Sequence, residues 1–315
     1  MANYQLSHTG AKIDEAIGKA LTALQTMPKH THSVDDITGL NNTSSASVAY
    51  NLLDNSNFRD PVNQRGSTSY SGGGYTIDRW KENQTAMTVA VEDGYISLTN
   101  TSDSRRAFEQ LLPNAHIGEV LTVAVKEHNS GEIYCASAVV PSASSNAQYF
   151  AAADFGAHTA RLSMTAGGVL VFQVMVGNAS PAALDWVALY EGEYTAENLP
   201  TYVPKGYAAE LHECMRYYIR IPTTAQLTII GYGYSATAGR FSIPVGVTMR
   251  AAPTLNFATM SSCRIYPGAI TPTAIGGRAV VGPVVTFALT VASGLKADDI
   301  IVLRPGTMME FSADL

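Results

Sequence analysis

Residues 27–40 read MPKHTHSVDDITGL. His30 and His32 stand one residue apart, and in an extended segment residues i and i+2 point to the same side. Neutral imidazole is a common ligand for transition metals. Two ligands from one chain make a weak site, and a solvated polar linker is the other reading of the pair. Three chains around one axis would bring six imidazoles together, enough for octahedral coordination. A nitrogen-rich octahedral site suits iron, nickel or cobalt better than tetrahedral zinc. The metal reading therefore depends on a trimer.

A second chemistry lies in IIGYGYSATAGRF, residues 229–241. Tyr232 and Tyr234 are i and i+2 on an expected strand, so their rings share one face. Flat aromatic rings with Arg240 nearby suit the C–H faces and hydroxyls of a sugar. Tyr266, in RIYPG, joins them from an expected loop. The alternative is that Gly231 and Gly233 mark the close approach of another backbone and the tyrosines line a trimer interface.

Catalytic patterns are missing from the sequence: there is no GxSxG, HExxH, Walker loop or dinucleotide fingerprint. SGGGY at 71–75 lacks the following Lys-Ser/Thr of a phosphate loop and reads as a flexible loop. His116, His128, His158 and His212 have no neighbouring ligand or nucleophile pattern and read as surface or satisfied core histidines. The carboxylates of Asp154, Asp185, Glu191 and Glu193 have no separation legible from sequence. Trp80 and Trp186 lie in apolar strand contexts and read as core, with sugar stacking the alternative for the DRW of residues 78–80. Cys135, Cys214 and Cys263 are too far apart for a zinc site and read as free thiols.

The elements that must position these residues follow from composition and period. The chain has 315 residues, enough for two domains, and 46% of them are hydrophobic. Only 15% are charged, below the roughly 25% usual in soluble domains. Such a surface must be covered by neutral polar residues, by partner subunits, or by both. The net charge of −6 and the lack of any Lys/Arg run argue against nucleic acid as a main partner. The first residues lack a signal-peptide pattern and no apolar run reaches membrane-spanning length, so synthesis in the cytoplasm without membrane insertion is expected.

Ile13, Ile17, Ala20, Leu24 and Met27 follow the spacing of a heptad seam, which Leu6 extends backwards and Pro28 ends. A helix this short is marginal alone. It either caps its own domain or zips against copies of itself as a trimeric coiled coil. Residues 33–50 are small and polar, without period, and read as linker. From residue 51 short β patterns take over, roughly eight strands in about 150 residues, which indicates a jelly roll or β-sandwich. YAAELHECMRYY interrupts them as a short helix or turn, and β patterning returns after Pro222. The expected organisation is a mostly β chain: a coiled-coil helix at 1–29, a His-x-His connector and linker at 30–50, a jelly roll at 51–205 and a C-terminal β domain at 206–315.

Several stretches carry a resemblance: HTHSVDDITGL (30–40), NLLDNSNFRDPVNQRG with YTIDRW (51–66 and 75–80), the run from 186 to 218 ending in ELHECMRYY, VGVTMRAAPT (245–254) and the terminal MEFSADL. The chain resembles bacteriophage and prophage tail-fibre or receptor-binding proteins and their phage-tail-like bacteriocin relatives. The resemblance implies a homotrimer with β-rich domains along a shaft and a receptor-binding tip, located in the virion tail. It also implies iron chelation on the threefold axis by His30 and His32, and a middle domain similar to carbohydrate-binding jelly rolls. The implied partners are a host cell-surface polysaccharide and a phage tail, baseplate or adaptor protein held through the N-terminus. No depolymerase motif transfers, so host attachment by carbohydrate binding is expected, with a tailspike-like glycan depolymerase or esterase and a purely structural fibre as alternatives.

Overall fold

A computed structural model describes residues 10–25, 49–141, 148–222, 227–306 and 308–314. The chain divides into two units, Met1–Ala46 and Ser47–Leu315. In the first, Gly10–Gln25 forms helix α1. Ile17 on its apolar seam is 53% exposed, and Ala20 is also exposed. Ile13 and Leu24 lie on the helix, but their side chains are outside the described residues, as are Leu6, Met27, His30 and His32. The exposed Glu15–Lys19 pair sits at i, i+4 and adds a few tenths of a kcal/mol at most.

Among its described residues, the second unit is antiparallel β apart from one α-helix, one 3-10 turn and connecting loops. Its first part runs through Ser69–Ser71 (β1), Gly74–Tyr75 (β2), Lys81–Glu82 (β3), Met87–Glu92 (β4), Tyr95–Asn100 (β5), Arg106–Leu111 (β6), Val120–Glu127 (β7), Ile133–Val139 (β8), Gln148–Phe155 (β9), His158–Met164 (β10), Leu170–Val176 (β11) and Ala182–Glu191 (β12). One sheet has the order β1-β4-β5-β12-β7-β8 and the other β2-β3-β6-β11-β10-β9. Apolar residues from both sheets enter one core, giving a two-layered unit. Trp80 is fully buried there, stacked on Phe108 at 4.8 Å, with its Nε1 donating to the Asn55 carbonyl at 2.8 Å. Trp186 packs outside this core, stacked on Tyr202 at 4.4 Å. Both tryptophans are therefore packing residues.

The strands exceed the eight that the sequence suggests because β1, β2 and β3 are only two or three residues long and show no period. The SGGGY stretch connects β1 in one sheet to β2 in the other. Gly72, Gly73 and Gly74 all have φ near +90° to +105°, at +100°, +88° and +105°. A run of three such residues is accessible without strain only to glycine. The Gly73 N–H is already taken by the Glu82 carboxylate, so this loop is a sheet-to-sheet crossing.

Helix Tyr207–Met215 (α2) follows the two-layered unit. Then come Tyr218–Pro222 (β13), Ile229–Ser235 (β14), Ala238–Pro244 (β15), Thr254–Phe257 (β16), Arg264–Tyr266 (β17), Ala274–Val281 (β18), Val284–Thr290 (β19), Ile300–Arg304 (β20) and Met308–Ser312 (β21). They form a three-stranded sheet, β13-β21-β16, and a six-stranded sheet, β17-β20-β14-β15-β19-β18. A second core lies between them, around Phe241, Phe287 and Phe311. Alternation along β15, β17 and β20 buries one face of the six-stranded sheet and leaves the other exposed.

The expected domains at 51–205 and 206–315 thus have separate cores, but both belong to one compact unit. What joins them is a polar network made by the stretches that carry the resemblance. Arg65 pairs with Asp78 at 3.0 Å and with Asp314 at 2.6 Å, its guanidinium lying 3.8 Å from the Tyr218 ring centre. Gln64 Nε2 donates to Asp78 and to the Tyr218 carbonyl, both at 2.8 Å. Arg79 pairs with Asp54 at 3.0 Å and stacks 3.5 Å from the Tyr217 ring centre. The Asn55 N–H donates to the Glu210 carboxylate of α2. Burial pushes the fully buried Asp78 carboxyl up to about 6, against the pull of Arg65. Removing one partner of such a buried pair leaves an uncompensated charge.

Candidate functional site

The exposed face of the six-stranded sheet carries the residues singled out from sequence. Tyr232 faces Arg240 on β15 and Ile300 on β20 in direct register. Tyr232 is 41% exposed and Tyr234 62%. Arg240 is exposed between them: its Nη1 donates to the Tyr232 hydroxyl at 3.2 Å, and its guanidinium lies 4.8 Å from the Tyr234 ring centre. Strand period therefore brings three of the four predicted residues into one cluster.

Gly231 and Gly233, which alternate with the tyrosines, point inward, and each meets an obstacle. A Cβ on Gly231 would lie 2.3 Å from the Arg240 carbonyl and 2.5 Å from the Phe241 ring. A Cβ on Gly233 would lie 1.9 Å from the Lys296 carbonyl, because the chain at 296–299 runs against β14. Gly233 also exchanges backbone hydrogen bonds there, donating to Asp299 at 2.8 Å and accepting from Asp298 at 2.9 Å. The close backbone approach expected as the alternative is thus present, within the same chain. It leaves the outward tyrosines free to face solvent.

Tyr266 is placed differently from the sequence expectation. It lies in strand β17, not in a loop, opposite Val302 of β20, which is in turn opposite Ile230. It shares the outer face with Tyr232 but sits two strands away, roughly 10 Å. Its ring is covered by Arg304, whose guanidinium is 5.0 Å from the ring centre.

A groove of about 550 Å³ opens beside Tyr234 and Arg240 and continues to Arg278, Thr286 and Ala288. Arg278 was not singled out from sequence. It follows a bulge in edge strand β18, between Ile275 and Arg278, which breaks the period that would have assigned it a face. Exposed apolar residues surround the cluster: Ile230 is 68% exposed and Ile300 75%.

Three of the four isolated histidines acquire partners in space. His116 Nδ1 is 2.6 Å from Glu119, and ligand atoms of His116, Glu119 and Glu191 lie within 4.8 Å of one another at the surface. His128 Nδ1 is 2.6 Å from Asp185, and its ring stacks on Tyr95 at 4.2 Å. Burial and the Arg105 charge hold the His158 imidazole below its usual range, and its Nδ1 accepts from Gly177 N–H at 3.1 Å. His158 also lines a cleft of about 480 Å³ in the two-layered unit, with Tyr95, Glu127 and Tyr134. The three cysteines are free thiols, and burial raises each of them.

Comparison with protein-family models, with curated proteins and with solved structures finds no match. No described helix is long and apolar enough to cross a membrane.

Proposed function

We propose that this chain is a receptor-binding fibre protein of a phage or phage-tail-like particle, attaching to host cell-surface glycan through the exposed face of its C-terminal sheet. The observation that carries the reading is the Tyr232–Arg240–Tyr234 cluster, two exposed rings bridged by a guanidinium beside an open groove. Rings of this kind stack on sugar C–H faces, and the guanidinium supplies hydrogen-bond donors. The two-layered unit, taken as a jelly roll, serves as spacer or second site. The α1 seam seeds a parallel homotrimer, and the N-terminal region holds the tail, baseplate or an adaptor. Six imidazoles from His30 and His32 of three chains bind iron, nickel or cobalt on the axis; both residues lie outside the described residues. A glycan array probed with the intact protein and with the double change Tyr232→Ala, Tyr234→Ala tests the site. Sugar binding that disappears in the variant supports it.

One observation favours a second reading. Ile230 and Ile300 extend the exposed face with apolar surface, as an interface between copies would require. In that case Tyr232→Ala with Tyr234→Ala weakens the oligomer instead of the sugar contact.

A further inference from the structure

The strands of the C-terminal six-stranded sheet contain four arginines, Arg240, Arg264, Arg278 and Arg304, and not one Asp, Glu or Lys. The whole chain carries a net charge of −6, so this sheet is a local reversal of sign. Elsewhere in the second unit, Arg59, Arg65, Arg79 and Arg216 are each paired with carboxylates, while Arg105, Arg106, Arg220 and Arg250 bond neutral oxygens; what sets the sheet apart is that its strands hold arginines and no carboxylate. Among the described residues, the four sheet arginines have no ion pair. Their contacts are with rings and neutral oxygens: Arg240 with Tyr232 and Tyr234, Arg304 with Tyr266, and Arg264 with the Ser261 and Cys263 carbonyls.

Their arrangement also places like charges on neighbouring strands. Arg264 and Arg304 are direct cross-strand partners, the first guanidinium turned to the Ser261 and Cys263 carbonyls and the second to the Tyr266 ring. Like charges directly opposite are destabilising, and an anion between them reverses the sign of the interaction. Arg240 and Arg278 line one groove together, again without a carboxylate among its lining residues. The strands of a second copy of this face would bring no carboxylate to these arginines.

We propose that the ligand of this face is an acidic polysaccharide, one whose sugar rings carry carboxylate or phosphate groups. The rings stack on Tyr232 and Tyr234, and Arg240 with Arg278 takes the anionic group in the groove. Arg264 and Arg304 take a further anionic group along the same polymer. This rests on the glycan-binding reading above and adds the charge class of the glycan.

The test uses the intact protein and four immobilised polymers: polygalacturonate, a phosphomannan, methyl-esterified pectin and dextran. The expected result is binding to polygalacturonate, to phosphomannan or to both, the two arms separating carboxylate from phosphate. Binding should fall about tenfold or more between about 50 and about 200 mM salt. Arg240→Gln with Arg278→Gln should weaken it about fivefold or more while the thermal melt and the mass in solution stay unchanged; Arg264→Gln alone provides a second variant on the other arginine pair. Equal binding to esterified pectin or dextran, abolished by Tyr232→Ala with Tyr234→Ala, overturns the charge assignment and leaves the glycan reading standing. Attachment to host cells with no polysaccharide bound overturns both. Binding of a single-stranded DNA oligonucleotide as tightly as the acidic polymers also overturns the assignment, because it shows a face selective for charge alone.

Discussion

Asp78 sits fully buried between Arg65 and Gln64, and burial raises its carboxyl from the ordinary 3.8 to about 6. The folded state therefore keeps a proton that the unfolded state releases between those values. The stability this contributes is fully present below about 3.8 and is lost as pH rises through about 6. Asp78→Asn removes the titration. The stability of the wild type relative to Asp78→Asn should rise by up to about 3 kcal/mol from about pH 7 to about pH 4, measured by urea denaturation. A difference that stays flat with pH contradicts this account of the junction. At this scale the sequence was uneven. Tyr232, Tyr234 and Arg240 were legible because strand period alone puts them on one face. The Arg65–Asp314 pair was not, since its members lie at opposite ends of the second unit and no local pattern links them. The stretches behind the tail-fibre resemblance proved to contain this buried network, which gives the NQRG, DRW and ELHECMRYY segments a packing role that their polar composition hides.

Among the elements, β14 is tightly constrained by its neighbours at Gly231 and Gly233. Gly233→Ala drives a methyl group into the Lys296 carbonyl and disrupts the hydrogen bonds with Asp298 and Asp299. It should destabilise the protein by about 1–3 kcal/mol or more, seen as a lowered thermal midpoint. An unchanged midpoint would show that the 296–299 segment yields freely. The helix makes the opposite case, with apolar surface exposed at Ile17. Ile17 is exposed on a seam spaced for a coiled coil, and a 16-residue helix is marginal in isolation. Ile17→Asp should convert a trimer to monomer in light scattering, and a wild-type monomer at micromolar concentration refutes the trimer itself. Strands β4, β5 and β15, with their alternation, are legible in the sequence, whereas β6 and β9 carry no clean period and β18 is broken by its bulge. Strands β1 to β3 are not legible, because two or three residues carry no period and their pairing is set by distant partners.

For the whole molecule, the proposed assembly is a trimer seeded by the N-terminal helix, with the two-layered β unit as spacer and the outer face of the last sheet as receptor site. The connector carries its own expectation. His30→Ala with His32→Ala should remove a bound transition metal, found by elemental analysis of protein purified without chelator, and leave the thermal melt of the β unit unchanged. Metal occupancy of the wild type should fall below roughly pH 6, where imidazole protonates. Wild-type protein free of iron, nickel and cobalt contradicts the metal reading. The central claim is attachment through the Tyr232–Arg240–Tyr234 face, and adsorption of labelled protein to host cells tests it most directly. With Tyr232→Ala and Tyr234→Ala, adsorption should be lost while light scattering reports the same oligomer as wild type. Unchanged adsorption, or loss of the oligomer along with it, would show that the face is not the receptor site.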